Sequence, residues 1–103
     1  MDVLVFRTQS APRLEHIPNE LDSMQGIVGG YIEPICLDDD LILVCNEEGR
    51  LRDLPPTARC AAGDIAGPCF VVKNGDEDFV GLTAEDVLSA VRQVRPLNPT
   101  LTT

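Results

Sequence analysis

The stretch Tyr31 to Gly49, YIEPICLDDDLILVCNEEG, does most to limit what this chain can become. Two apolar runs flank three aspartates. The second run stops abruptly at Asn46-Glu47-Glu48-Gly49. Acidic turn residues bond their own backbone, so the aspartates predict a tight turn joining Tyr31–Leu37 and Leu41–Asn46 as an antiparallel hairpin. Pro34 lacks an amide donor and puts the first of these strands at a sheet edge or at a bulge. LILVC carries no alternation, so both of its faces are expected to be covered, as in the central strand of a sheet.

The neighbouring segments supply what such a sheet needs. Asp2 to Phe6 reads as a first strand, with Leu14 to Ile17 as its nearest candidate partner. A helix follows, with Asn19 as the expected N-cap, Leu21, Met24, Ile27 and Val28 as its apolar face, and Gly29-Gly30 as its stop. Gly26 weakens that helix by about 1 kcal/mol relative to Ala, so it must lie on a sheet to persist. Thr57 to Gly67 is Ala- and Gly-rich and reads as a short helical turn or a loop. Pro68 to Lys73 is a further strand, broken at Asn74-Gly75 and returning at Phe79 to Leu82. Thr83 with Glu85 and Asp86 starts a second helix with the apolar stripe Val87, Leu88, Val91 and Val94. Pro96 is expected to stop it.

The expected fold is thus α+β: an antiparallel sheet of four or five strands with two helices packed on one face, in the order β-α-β-β-β-(β)-α. At 103 residues the chain is one domain, assigned here to residues 1–95, with 96–103 as a flexible tail. With four aromatic residues, none of them Trp, the core must be built from Val, Ile and Leu.

Net charge bounds the partners. Eight Lys and Arg residues, scattered, stand against 17 Asp and Glu residues, for a formal charge of −9. Phosphate binding needs clustered cations, so a nucleic-acid partner is disfavoured and a protein partner expected. The acidity is first a solubilising surface; mimicry of a DNA backbone toward a basic protein is the sharper alternative. The opening residues do not read as a secretion signal and no apolar run reaches membrane-spanning length, which predicts a cytoplasmic protein. Its cysteines are then expected reduced, with Cys36, Cys45 and Cys69 buried and Cys60 the one that reacts.

The candidate chemistry is thin. Consecutive aspartates in a tight turn do not converge on one ion, and Asn74, Asp76, Asp78 and Glu85 follow a calcium-loop spacing that lacks its glycine, so no metal is expected. Cys36, Cys45, Cys60 and Cys69 have no close pairing and only one His beside them, so no zinc site is expected. No nucleophile elbow or phosphate loop is present. Glu47 and Glu48 close the probable central strand, where an acid–base pair would need a pocket. No cofactor is expected, and the chain reads as non-catalytic.

Taken in order, the segments IVGGYIE, LILVCNEEG, LPP, DIAGPCFVV and DFVGLTAEDV resemble a small family of domains of unknown function encoded by phages, prophages and conjugative elements. The resemblance covers about residues 1 to 95 and implies a compact cytosolic protein of a mobile element. It brings no activity, cofactor or catalytic residue. Where relatives show Asn then Arg soon after the Leu-Pro pair, this chain has Thr57-Ala58-Arg59. The candidate binding residues are therefore Asn46, Glu47, Glu48, Gly49 and Arg59. Three functions are carried forward. The first is a small acidic binding protein acting on a host component, in an anti-defence or regulatory role. The second is a module that sequesters a nucleotide or other phosphorylated ligand through amides beside Gly29, Gly30, Gly49, Gly63 and Gly67. The third is a small enzyme using Glu47 or Glu48. A homodimer through the edge strand or a helix face would add to a modest core.

Overall fold

The computed structural model describes residues 1–38 and 40–97. An antiparallel sheet runs β2-β1-β7-β4-β3, where β1 is Asp2–Phe6, β2 Arg13–His16, β3 Ile32–Cys36, β4 Leu41–Asn46 and β7 Cys69–Asn74. A sixth strand, β8 (Phe79–Val80), pairs with the end of β7. A second sheet runs β6-β5-β9, where β5 is Pro56–Cys60, β6 Gly63–Ala66 and β9 Arg95–Pro96. The helices are α1, Leu21–Val28, and α2, Ala84–Gln93.

The α+β class, the first strand with its partner, and the Tyr31–Gly49 hairpin agree with expectation. β4 is buried along its whole length between β3 and β7, and Pro34 does lie on an edge strand. Asp38 builds the turn: its Oδ1 accepts the amides of Asp40 and Leu41 at 2.9 and 3.0 Å, while Oδ2 takes Gln93 Nε2 of α2 at 2.7 Å. Cys36 pairs with Ile42 at the turn end of the ladder.

Among the described residues the count of four or five strands is corrected to nine in two sheets, and the two helices do not share a face. Successive strand residues point to opposite sides. Val3, Val5, Ile42, Val44, Phe70 and Val72 pack with Met24 and Val28 of α1. Leu4, Phe6, Leu41, Leu43, Cys45, Cys69 and Val71 pack with Ala90 of α2, with Val94 just after it, and with Ala58 and Ile65 of the small sheet. The unbroken apolar run of β4 is the sign of this two-sided cover.

The local corrections have physical causes. Thr57–Gly67 is neither helical turn nor loop: it holds the β5–β6 hairpin, secured by Thr57 Oγ1 donating to the Gly67 carbonyl at 2.6 Å. The N-cap of α1 is Glu20, without a side-chain cap bond, because Asn19 donates instead to the Phe79 carbonyl across the molecule. Leu21 is exposed, as are Leu88 and Val91 of α2, so each apolar helix face is narrower than its sequence stripe. The second helix stops at Gln93, before Pro96, and Thr83 and Asp86 form its full capping box. Pro96 pairs with Ala58, and the Leu97 amide donates to the Thr57 carbonyl, so these two residues of the expected tail are held against β5; residues 98–103 lie outside the described residues. Among the described residues no helix is long and apolar enough to cross a membrane.

Candidate functional site

Beyond the end of β4 the chain turns sharply and passes under the β5–β6 hairpin. Asn46 sets that turn. It is 5% exposed, its Nδ2 donates to the Val28 carbonyl at 3.0 Å, and its Oδ1 accepts the Glu48 amide at 2.8 Å. Its side-chain bonds therefore join α1 to the turn and serve the architecture. Gly49 is equally constrained, because a Cβ there would stand 2.5 Å from the Ala66 carbonyl oxygen.

Between this turn, the β3 edge and the hairpin lies a cleft of about 340 Å³. Asn46, Glu47 and Gly49 line it, together with Glu33, Arg50 and Asp64 and an apolar set including Ile35, Leu51 and Ile65. Glu33 reaches it because it pairs with Cys45 across β3 and β4, and cross-strand partners share a face. Leu51 is 83% exposed. Arg50 is directed inward by its Nη2, which donates to the Asp64 carbonyl at 3.0 Å. The Cys45 thiol donates to the Glu33 carbonyl at 3.5 Å; burial, with the Glu33 charge second, pushes its pKa up to about 11, so it stays protonated at neutral pH.

The structure brings together only part of the candidate set. Glu48 is exposed and does not line the cleft, so Glu47 and Glu48 are not poised on one enclosed volume. Arg59 is spent elsewhere: its Nε donates to Asp64 Oδ1 at 2.6 Å across the hairpin, which holds the Asp64 carboxyl below its usual range. Glu33, Arg50, Leu51 and Asp64 were missed. The hairpin register could have revealed Glu33, since the turn fixes its pairing with Cys45. Asp64 had no such signal, because its segment did not read as a strand.

The glycine amides proposed for a phosphate are largely engaged within the fold. Gly29 donates to the Gln25 carbonyl, Gly49 to Asn46 and Gly67 to Pro55. The aspartate turn and residues 75–78 form hairpin connections, Glu85 lies in the first turn of α2, and among the described residues no group of three His, Cys, Asp or Glu side chains is placed to hold a metal. All four cysteines are free, with Cys45 and Cys69 buried and Cys60 half-buried; Cys36, expected inside, is exposed on the edge strand.

Residues 1–95 match the model of a family described as a domain of unknown function, DUF3846. The chain belongs to that family. No curated protein matches it, and no solved structure does. The family match spans both sheets up to Arg95, including every residue that lines the cleft.

Proposed function

We propose that this chain is a non-catalytic binding protein of a phage, prophage or conjugative element that engages a protein of the bacterial host in the cytoplasm, in an anti-defence or regulatory role. The observation that carries the binding reading is the cleft beside Asn46–Gly49, with its apolar lining and the carboxylates of Glu33, Glu47 and Asp64. Concave, largely apolar volumes of this size with a few placed polar groups are the usual form of a binding site. The genetic setting is the one implied by the resemblance of the LILVCNEEG and DIAGPCFVV segments, and the net charge of −9 favours a basic protein over nucleic acid.

Two other readings have less support. A small enzyme using Glu48 has no cleft at that side chain, and one using Glu47 would work with that carboxylate alone of the two. A phosphate-binding module would need free converging amides, and those of Gly29, Gly49 and Gly67 are engaged.

The test is capture from bacterial lysate at low salt with the chain as bait, followed by cross-linking and mass spectrometry. A captured protein whose cross-links fall beside Glu47 and Arg50, and whose capture is lost on joint E33K and E47K substitution, supports the reading. Capture of nothing from any lysate removes it.

A further inference from the structure

We propose that the partner presents an extended basic segment, which adds as a strand to the free edge of β3 and sets a lysine or arginine side chain into the cleft between Glu33 and Glu47. This rests on the binding reading above and names the partner's chemistry.

The edge is available, and its parity is known. β3 is the terminal strand of the large sheet. In its ladder with β4, Glu47 N–H donates to the Tyr31 carbonyl and Leu37 N–H to the Leu41 carbonyl, so the odd-numbered residues carry the bonds toward β4. In an antiparallel ladder these positions alternate, which turns the backbone groups of Ile32, Pro34 and Cys36 outward. An added strand would bond through both backbone groups of Ile32 and Cys36 and through the carbonyl alone of Pro34. Its residues opposite Glu33 and Ile35 would then occupy the non-hydrogen-bonded positions, where side chains of neighbouring strands approach most closely. Paired residues point to one face, and that is the face on which Glu33 and Ile35 line the cleft.

The lining selects the side chain. Ile35, Leu51 and Ile65 offer apolar surface to an alkyl stem, and the carboxylates stand at the rim for its charged end. Glu33 and Glu47 form no ion pair among the described residues, whereas Glu15, Asp64 and Asp86 each have one. Arg50 also lines the cleft, with its Nη2 held on the Asp64 carbonyl, so Glu33 and Glu47 keep an excess of negative charge beside the apolar lining, which complements a lysine or arginine. The overall charge of −9 adds long-range attraction for a basic chain.

A second copy of the chain is a poorer occupant. β3–β3 pairing would meet Pro34, which offers no donor, on both strands, and would bring two chains of charge −9 together.

The experiment is selection of a random twelve-residue peptide library against the immobilised chain at low salt, with the enriched peptides then titrated into isotope-labelled protein. Expected are sequences with Lys or Arg among alternating β-branched residues, amide shifts at Ile32, Cys36 and Glu47, and about a tenfold weaker affinity for the E33Q/E47Q variant. Both side chains line an open cleft, and unchanged amide dispersion of the variant shows that it folds. Joint L88D and V91D substitution on α2 leaves the affinity as it is. Enrichment of acidic or uncharged peptides, shifts away from β3, undiminished binding to E33Q/E47Q, or dimerisation through β3 in sedimentation each overturns the proposal. If lysate capture succeeds while no basic peptide binds β3, this inference falls and the binding reading stands. If both fail, both fall.

Discussion

The side-chain amide of Asn46 donates to the carbonyl of Val28 at 3.0 Å, tying the end of a buried strand to the last residue of α1. The same side chain accepts the Glu48 amide, so one residue satisfies two backbone groups that have left their regular elements. Replacing Asn46 by Ala strands both, at a cost of about 1–3 kcal/mol. Urea denaturation should show the midpoint falling at unchanged slope. Asn46→Asp keeps the acceptor for Glu48 but turns an oxygen toward the Val28 carbonyl, and should destabilise at pH 7 as well.

Two glycines should respond in opposite senses to Ala. Gly49 has the Ala66 carbonyl oxygen 2.5 Å from where its Cβ would lie, a backbone contact that cannot yield without moving β6. Gly49→Ala should cost about 1–3 kcal/mol as an overpacked site. Gly26, exposed in α1, has nothing within 4 Å of the added atom. Gly26→Ala should stabilise by about 0.5–1 kcal/mol through helix propensity. Thermal unfolding of the two variants beside the wild type decides both signs.

Labelling with iodoacetamide at pH 8 should proceed in a fixed order. Cys36 is exposed on the β3 edge and reacts first, and Cys60, half-buried, follows. Burial raises the Cys45 thiol to about 11 and the Cys69 thiol to about 12, which leaves almost no thiolate at either position. Mass spectrometry should find two modified cysteines in the native protein and four in urea. Early labelling of Cys45 would show that the hairpin opens.

Acid should weaken the second helix through Asp86. The Thr83 backbone amide, ahead of the Thr83 hydroxyl and Lys73, holds its carboxyl below the ordinary 3.8. A lowered folded pKa means that the unfolded chain takes up the proton first, so the stabilisation is complete above the ordinary value and is lost as pH falls through the folded one. Between pH 5 and pH 2 the wild type should lose more stability than Asp86→Asn, whose amide does not titrate. Chemical denaturation across that range measures the difference.

Much of the large sheet could be read from residue order alone, because its strands carry strong local signs: the DVLVF run, Pro34 at an edge, the aspartate turn, and Asn74-Gly75. The second sheet could not. Its strands hold two buried apolar residues, Ala58 and Ile65, and in sequence they look like a mobile Ala- and Gly-rich segment. The helices lie on opposite faces for a reason that LILVC already carries, since a strand buried on both sides demands cover from two directions. The cleft was half visible. Asn46, Glu47 and Gly49 lie in the stretch that the chain is built around, but Glu33 and Asp64 meet only when the hairpin folds over β4.

The position of β7 carries a consequence for how the protein is made. This strand is the seventh of the eight that precede α2, the last but for the two-residue β8, and it lies between β1 and β4. A ribosome must therefore release two separate hairpins, β1–β2 and β3–β4, each with one apolar border unsatisfied, before the strand that joins them emerges. Closing the sheet spans more than sixty residues of sequence, from Leu4 to Val71, and such long-range pairing is slow. Nascent chains halted before residue 69 should be the aggregation-prone species, and the ones a chaperone holds.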